Sequence, residues 1–190
     1  MSSQITVWKA EHRAFAALLA LLEQQLQRVR AGDAPNFETM LDIVDYMIDY
    51  ADRFHHPKED LVFARVAQRQ PAAADSVQQL ANEHSAIVAS GRALAREIEA
   101  VVGGAIVERS VVQELGRRYL DAFRRHMYAE EQGLFLDAEE CLSDEDWKSI
   151  ESASARVDDP LFGERPEQRY QALRSEVQSI IEGPGSEREA

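Results

Sequence analysis

Three features of the 190-residue sequence predict an all-α chain. The expected architecture is an up-down-up-down antiparallel four-helix bundle followed by a C-terminal helical extension. Apolar residues recur at three- and four-residue steps along four long stretches, the spacing of one helix face. The connections between those stretches are short, which places successive helices side by side and antiparallel. Alternation with period two, the mark of a half-buried strand, is scarce.

The first helix is expected over roughly 4–30, with Trp8, His12, Phe15, Leu19, Leu22 and Leu26 on one stripe. "AGDAPN" at 31–36 ends it. The second is expected over 37–69, with Phe37, Leu41, Val44, Ile48, Ala51 and His55 in line, and "QRQPAAADS" interrupts the pattern. The third covers 75–101 through Val77, Ala81, His84, Val88, Gly91 and Ile98, with Asp75 or Ser76 as its N-cap. After "VVGGAIVERS" the fourth covers 108–140 through Leu115, Tyr119, Ala122, His126 and Gly133. Residues 1–140 are therefore read as the bundle and 141–190 as the extension. In the extension, Ser143 and Asp146 form a capping-box-like start, "DDPLFGERP" is a turn, and "PEQRYQALRSEVQSIIE" is a last amphipathic helix. The final "GPGSEREA" is expected to be disordered.

Composition narrows the function. A 45% hydrophobic chain of this length can bury one substantial core. A net charge of −13 argues against nucleic acid and against an anionic membrane surface, both of which are met by clustered Lys and Arg. One cysteine, Cys141, excludes an internal disulfide and any thiolate-rich metal motif. The N-terminal "MSSQITVWKAEHRAF" lacks the basic and apolar regions of a secretory signal, and no apolar run reaches the ~20 residues of a membrane span, so the cytoplasm is the expected compartment.

The five histidines then matter by position. A lone His on an apolar face is ordinarily a packed core residue. Here every bundle helix carries one: His12, His55, His84 and His126. Counted from the predicted helix ends, these four and Glu59 and Glu130 fall in one layer of the antiparallel bundle, ~12–21 Å from one end at ~1.5 Å per residue. His55-xxx-Glu59 and His126-xxx-Glu130 each place a carboxylate one turn after an imidazole on the same face. An unpaired buried carboxylate costs several kcal/mol. Two such carboxylates among four imidazoles need compensating charge, and a pair of cations supplies it. Carboxylate and imidazole without thiolate suit iron or manganese better than structural zinc.

The ordered set H…HxxxE…H…HxxxE, read from "WKAEHRAF", "FHHPKEDLVF", "NEHSAIV" and "RRHMYAEEQGLF", resembles the hemerythrin-like family with its HHE cation-binding domain. "DDPLFG" also resembles a segment that follows the bundle in bacterial members. The resemblance implies two iron ions in an oxo- or hydroxo-bridged pair, with manganese or zinc as alternatives. It implies His12, His55, Glu59, His84, His126 and Glu130 as the metal ligands, with the two Glu bridging. Glu131 sits at the spacing of the Asp that follows the last His in the oxygen carriers, so the choice between Glu130 and Glu131 stays open at this stage. Those carriers also place two histidines one turn apart on the third helix, whereas here Leu80 and Val88 flank His84 at that spacing, so one imidazole is missing. No F-box or Cys-containing N-terminal module is present to support the specialised roles of some relatives.

The implied function is binding of a small diatomic ligand, O2 or nitric oxide, at an open iron position shielded by Phe15, Leu19 and Phe123. Two rivals remain: a di-iron oxidase, peroxidase or nitric-oxide reductase, and an iron store or iron-sensing regulator. The molecule would be a monomer or, through the extension, a homodimer. Tyr119, about two turns before His126, is a candidate redox or hydrogen-bonding residue, although a buried Tyr at a polar layer is more commonly structural. Asp60 and Glu131 are expected to be solvated or to orient imidazoles. His56 is rotated by about 100° from His55 in an α-helix and is expected to face away from the metals, paired with Asp60. Pro57 removes the hydrogen bond to Arg53 and is expected to kink the helix so that Glu59 reaches across the bundle.

Overall fold

A computed structural model describes residues 3–154 and 157–182. All regular structure among them is helical. The first bundle helix is α1 (Ser3–Ala31). The second opens as α2 (Phe37–Tyr46), whose N-cap Asn36 accepts from the Thr39 backbone N–H. It continues without a break as a π-helical stretch (Met47–His55) and then as α3 (His56–Arg69). A 3₁₀ turn (Pro71–Ala73) leads into α4 (Ala74–Val102). This turn takes the place of the expected Asp75 or Ser76 cap: the helix starts earlier and has no side-chain cap. Asp75 instead adds negative charge to the first turn, where the helix dipole favours it.

The expected fourth helix is two pieces, α5 (Arg109–Gln132) and α6 (Leu134–Cys141). Gly133 breaks it, because its backbone turns so that a Cβ there would lie 2.9 Å from the Ala129 carbonyl oxygen. In the extension, α7 (Asp144–Ala153) begins with the expected reciprocal box between Ser143 and Asp146. A 3₁₀ turn (Gln168–Tyr170) and α8 (Gln171–Glu182) close the described chain. The segment expected to be disordered, 183–190, lies outside the described residues.

Helix α5 packs against α4 and α1, α4 against α2 and α3, and α8 against α1 and α2. Every residue of the predicted α1 stripe is buried, from Trp8 to Leu26. The second stripe is displaced: Met40, Ile43, Met47 and Tyr50 are buried, while Phe37, Leu41 and Ile48 sit at the core margin. A helix flanked by several neighbours buries a wider arc than a single three-four pattern marks.

Two apolar clusters result. The larger contains Phe15, Leu19, Val44, Ala51, Ile87 and Phe123, and the extension adds Leu161, Tyr170, Leu173 and Val177 to it. The smaller contains Trp8, Val62, Leu80, Leu134 and Phe135. On each bundle helix the polar residues fall between the two: His12 between Trp8 and Phe15, His55 to Glu59 between Ala51 and Val62, His84 between Leu80 and Ile87, and Glu130 between Phe123 and Leu134. The candidate site is thus a polar layer sealed above and below by hydrocarbon.

Candidate metal centre

All six residues singled out in the sequence are buried, Glu59 and Glu130 completely. They converge in two groups. His12 Nε2 and His55 Nε2 are 3.2 Å apart, and Glu59 Oε1 lies 3.5 and 3.1 Å from them. On the other side, Glu130 Oε1 lies 3.1 Å from His126 Nε2 and 3.3 Å from His84 Nε2. Each carboxylate presents its second oxygen to the opposite group: Glu59 Oε2 is 3.8 Å from His84 Nε2, and Glu130 Oε2 is 3.5 Å from His12 Nε2.

His56 belongs to this layer, contrary to the rotation argument. It is 3% exposed, stacks on His84 with ring centroids 4.2 Å apart, and lies 5.4 Å from the His126 ring. Two sets of donor atoms lie within 4.8 Å of one another: His56, Glu59, His84 and His126, and His12, His55 and Glu59. The reason is the π-helical stretch. Its wider turn carries the His56 backbone N–H to the Ala51 carbonyl, one residue further back than in an α-helix. Successive residues then diverge less around the axis, and two adjacent histidines share one face. Pro57 falls in the first turn of α3, where a missing N–H is tolerated, so the helix answers the proline by the π-to-α change of winding.

Every imidazole meets a carboxylate at Nδ1. His55 donates to Glu11 (2.7 Å), His84 to Asp60 (2.9 Å), His126 to Glu83 (3.2 Å) and His12 to Glu131 (2.9 Å). His56 Nδ1 lies 3.3 Å from Asp52 Oδ1. The first four pairs form a closed circuit, from α1 to the π stretch, from α3 to α4, from α4 to α5, and from α5 back to α1. Asp60 therefore serves His84 and not His56, and Glu131 orients His12 while Glu130 enters the centre. Sequence reasoning missed Glu11, Glu83 and Asp52. Two of them carried a signal, the repeated Glu-His at 11–12 and 83–84, although each Glu reaches the histidine of a neighbouring helix.

The electrostatics follow from this packing. Burial alone would lower the His55 pKa, but the Glu59 charge and the Glu11 hydrogen bond prevail and lift it to about 10. Against the same burial penalty, hydrogen bonds to Asp60 and Glu130 lift His84 to about 9. His56, deeply buried beside the charges of His84, His55 and His126, is held well below its usual value. Burial pushes Asp52 up to about 7. Burial would also raise Glu130, yet His126 Nε2, 3.1 Å away, and the contact with His84 Nε2 hold it well below the usual carboxylate range.

The donor set fits a cation. With Nδ1–H committed to the carboxylates, Nε2 is the nitrogen that faces inward and would take a cation once it gives up its proton. Both Glu59 oxygens, Glu130 Oε2 and His126 Nε2 are buried without a hydrogen-bond partner. Polar atoms stranded in this way are costly unless something charged sits among them. A family model described as the hemerythrin HHE cation-binding domain matches residues 3–137. The chain belongs to the hemerythrin family. Comparison with curated proteins and with solved structures finds no match. The matched region runs from α1 into α6 and contains the whole buried His/Glu cluster.

Proposed function

We propose that this hemerythrin-family chain is a cytoplasmic, non-haem di-iron protein that binds a small diatomic ligand, O2 or nitric oxide, for sensing, storage or detoxification. The observation that carries the reading is the pair of donor groups that share Glu59 and are spanned by Glu130. We assign His12, His55, Glu59, His84, His126 and Glu130 as ligands, as the sequence implied, and add His56. The pairing of α1 with α5, α5 with α4, and α4 with α2 and α3 supports the up-down-up-down bundle in which this site would form.

An iron pair would supply reversible one-electron chemistry and affinity for diatomic ligands. The protein's own residues do the rest. Glu11, Glu83, Asp60 and Glu131 hold four imidazoles in one tautomer and one orientation. One group offers three imidazoles and the other two, so a metal held by His12, His55 and Glu59 would have the fewer protein donors and room for a small ligand. Phe15 covers that side, with its ring 4.9 Å from His55, and Phe135 stacks on His12 at 5.4 Å. Both rings are fully buried, which excludes water from a bound ligand.

Manganese or zinc could fill the same donors, so the metal is identified by loading. Anaerobic reconstitution with ferrous iron followed by air should give about two irons per chain and the near-ultraviolet band of an oxygen-bridged ferric pair. Glu59→Ala should abolish both. Less than one iron per chain and no band in the parent protein would sink the proposal. Catalytic consumption of peroxide or nitric oxide would favour the enzyme reading.

A further inference from the structure

Four tyrosines are buried in the larger apolar cluster, and among the described residues only two of them have a proton acceptor. Tyr50 donates its phenolic hydrogen to Glu11 Oε1 at 2.8 Å, and Glu11 Oε2 accepts from His55 Nδ1 at 2.7 Å. Tyr46 donates to Asp159 Oδ2 at 3.0 Å. The two rings stack at 5.6 Å with 17° between their planes, and Phe15 touches both of them and His55. By contrast, the hydroxyls of Tyr119 and Tyr170 have no partner among the described residues. Tyr170 nevertheless lies 5.7 Å from Tyr46.

We propose that Tyr50 and Tyr46 are a redox relay that delivers electrons to the metal centre, with Glu11 and Asp159 as the bases that take their protons. A neutral buried phenol is hard to oxidise unless the proton leaves with the electron, because a phenol cation in an apolar site is strongly disfavoured. Burial and the adjoining carboxylates hold both phenols in the protonated form. The oxidant would be hydrogen peroxide admitted to the layer where His12, His55 and Glu59 would hold a metal. Each tyrosine gives up one electron and its O–H proton and becomes a neutral radical. Two such oxidations reduce one hydrogen peroxide: its O–O bond breaks, it takes two electrons from the tyrosines and two protons from solvent, and two waters form, while the phenol protons stay on Glu11 and Asp159. A vacancy on Tyr50 moves outward when Tyr46 passes its electron to Tyr50 and its proton to Asp159, while Glu11 returns the proton to Tyr50. The relay ends at Tyr46, since Tyr170 has nowhere to send a proton. Tyr119, a redox or hydrogen-bonding candidate by its spacing, has no base for its proton among the described residues, whereas Tyr50 has Glu11.

The inference rests on the di-iron reading, and the test separates the two. The iron-loaded full chain is mixed with hydrogen peroxide, frozen, and examined by electron paramagnetic resonance, with iron content and circular dichroism measured on the same samples. A tyrosyl radical signal is expected in the parent protein, in Tyr119→Phe and in Tyr170→Phe. It should be lost in Tyr50→Phe and altered in Tyr46→Phe. If Tyr46→Phe does not fold, Tyr50→Phe alone decides. Iron bound but no radical, or a radical that survives Tyr50→Phe, would overturn the relay alone. No iron bound would overturn the relay and the di-iron reading together.

Discussion

At the scale of single residues, the site is governed by which nitrogen of each imidazole carries the proton. Carboxylates on Nδ1 leave Nε2 free, and losing one of them loosens the ring without removing a ligand. Glu11→Gln should therefore weaken metal binding ~10–100-fold while the chain still folds, as titration with ferrous iron will measure. Protons compete with the metal. His55 near 10 and His84 near 9 are both protonated at neutral pH in the metal-free chain, and a metal takes only the neutral ring. Loading in weak buffer at pH 7 should release about two protons, and apparent affinity should rise with pH. The sign for stability is the opposite. A histidine raised on folding stabilises the metal-free chain fully below its unfolded value of about 6.5, and the contribution fades as pH climbs through the folded values. Thermal melts of chelated protein should therefore drop between pH 7 and 10 more than melts of the loaded form.

At the scale of elements, the π-helical stretch makes the largest difference. Built as a continuous α-helix, the second element would offer His55 and turn His56 away; the wider winding offers both. A second element with local logic is the turn at 158–165. Asp158 accepts from the backbone N–H of Glu164 and Arg165, and Asp159 from those of Leu161 and Phe162. Gly163 packs so tightly here that an added Cβ would run into the Asp158 carboxylate and come within 2.5 Å of the Asp159 carbonyl oxygen. A backbone atom cannot yield as a side chain can. Gly163→Ala should cost about 1–3 kcal/mol, seen as a lower midpoint in denaturant, and should expose this turn to proteolysis. The same variant would disturb the Tyr46–Asp159 bond, which ties the turn to the bundle.

At the scale of the whole molecule, the polar layer divides the apolar interior, and the circuit of carboxylate–imidazole pairs ties the bundle helices to one another around it. The extension is not a passive appendage to this arrangement. Leu161, Tyr170, Leu173 and Val177 are almost completely buried in the larger apolar cluster, and α8 packs on α1 and α2. Four such side chains contribute roughly 6 kcal/mol or more of burial. A chain ending at residue 142 should melt ~10–20 °C below the full chain, by calorimetry on metal-free samples. An unchanged melting temperature would mean that the bundle closes without its extension.

The helices and the six ligand candidates are legible along the chain, because helical period and the i, i+4 pairing of His with Glu are local properties. Stripe residues such as His12 and Phe15 are buried as their spacing requires. The rest depends on how the helices pack. His56 enters the site because a helix under constraint from Pro57 and its neighbours changes its winding. Glu130 is separated from Glu131 by the direction each side chain takes once α1 and α5 are in contact. Each orienting carboxylate lies on a different helix from the imidazole it serves, except Asp52, so no spacing along the chain encodes those pairs. They exist because burying five imidazoles among carboxylates leaves each ring nitrogen in need of a partner, and the nearest one comes from the helix next door.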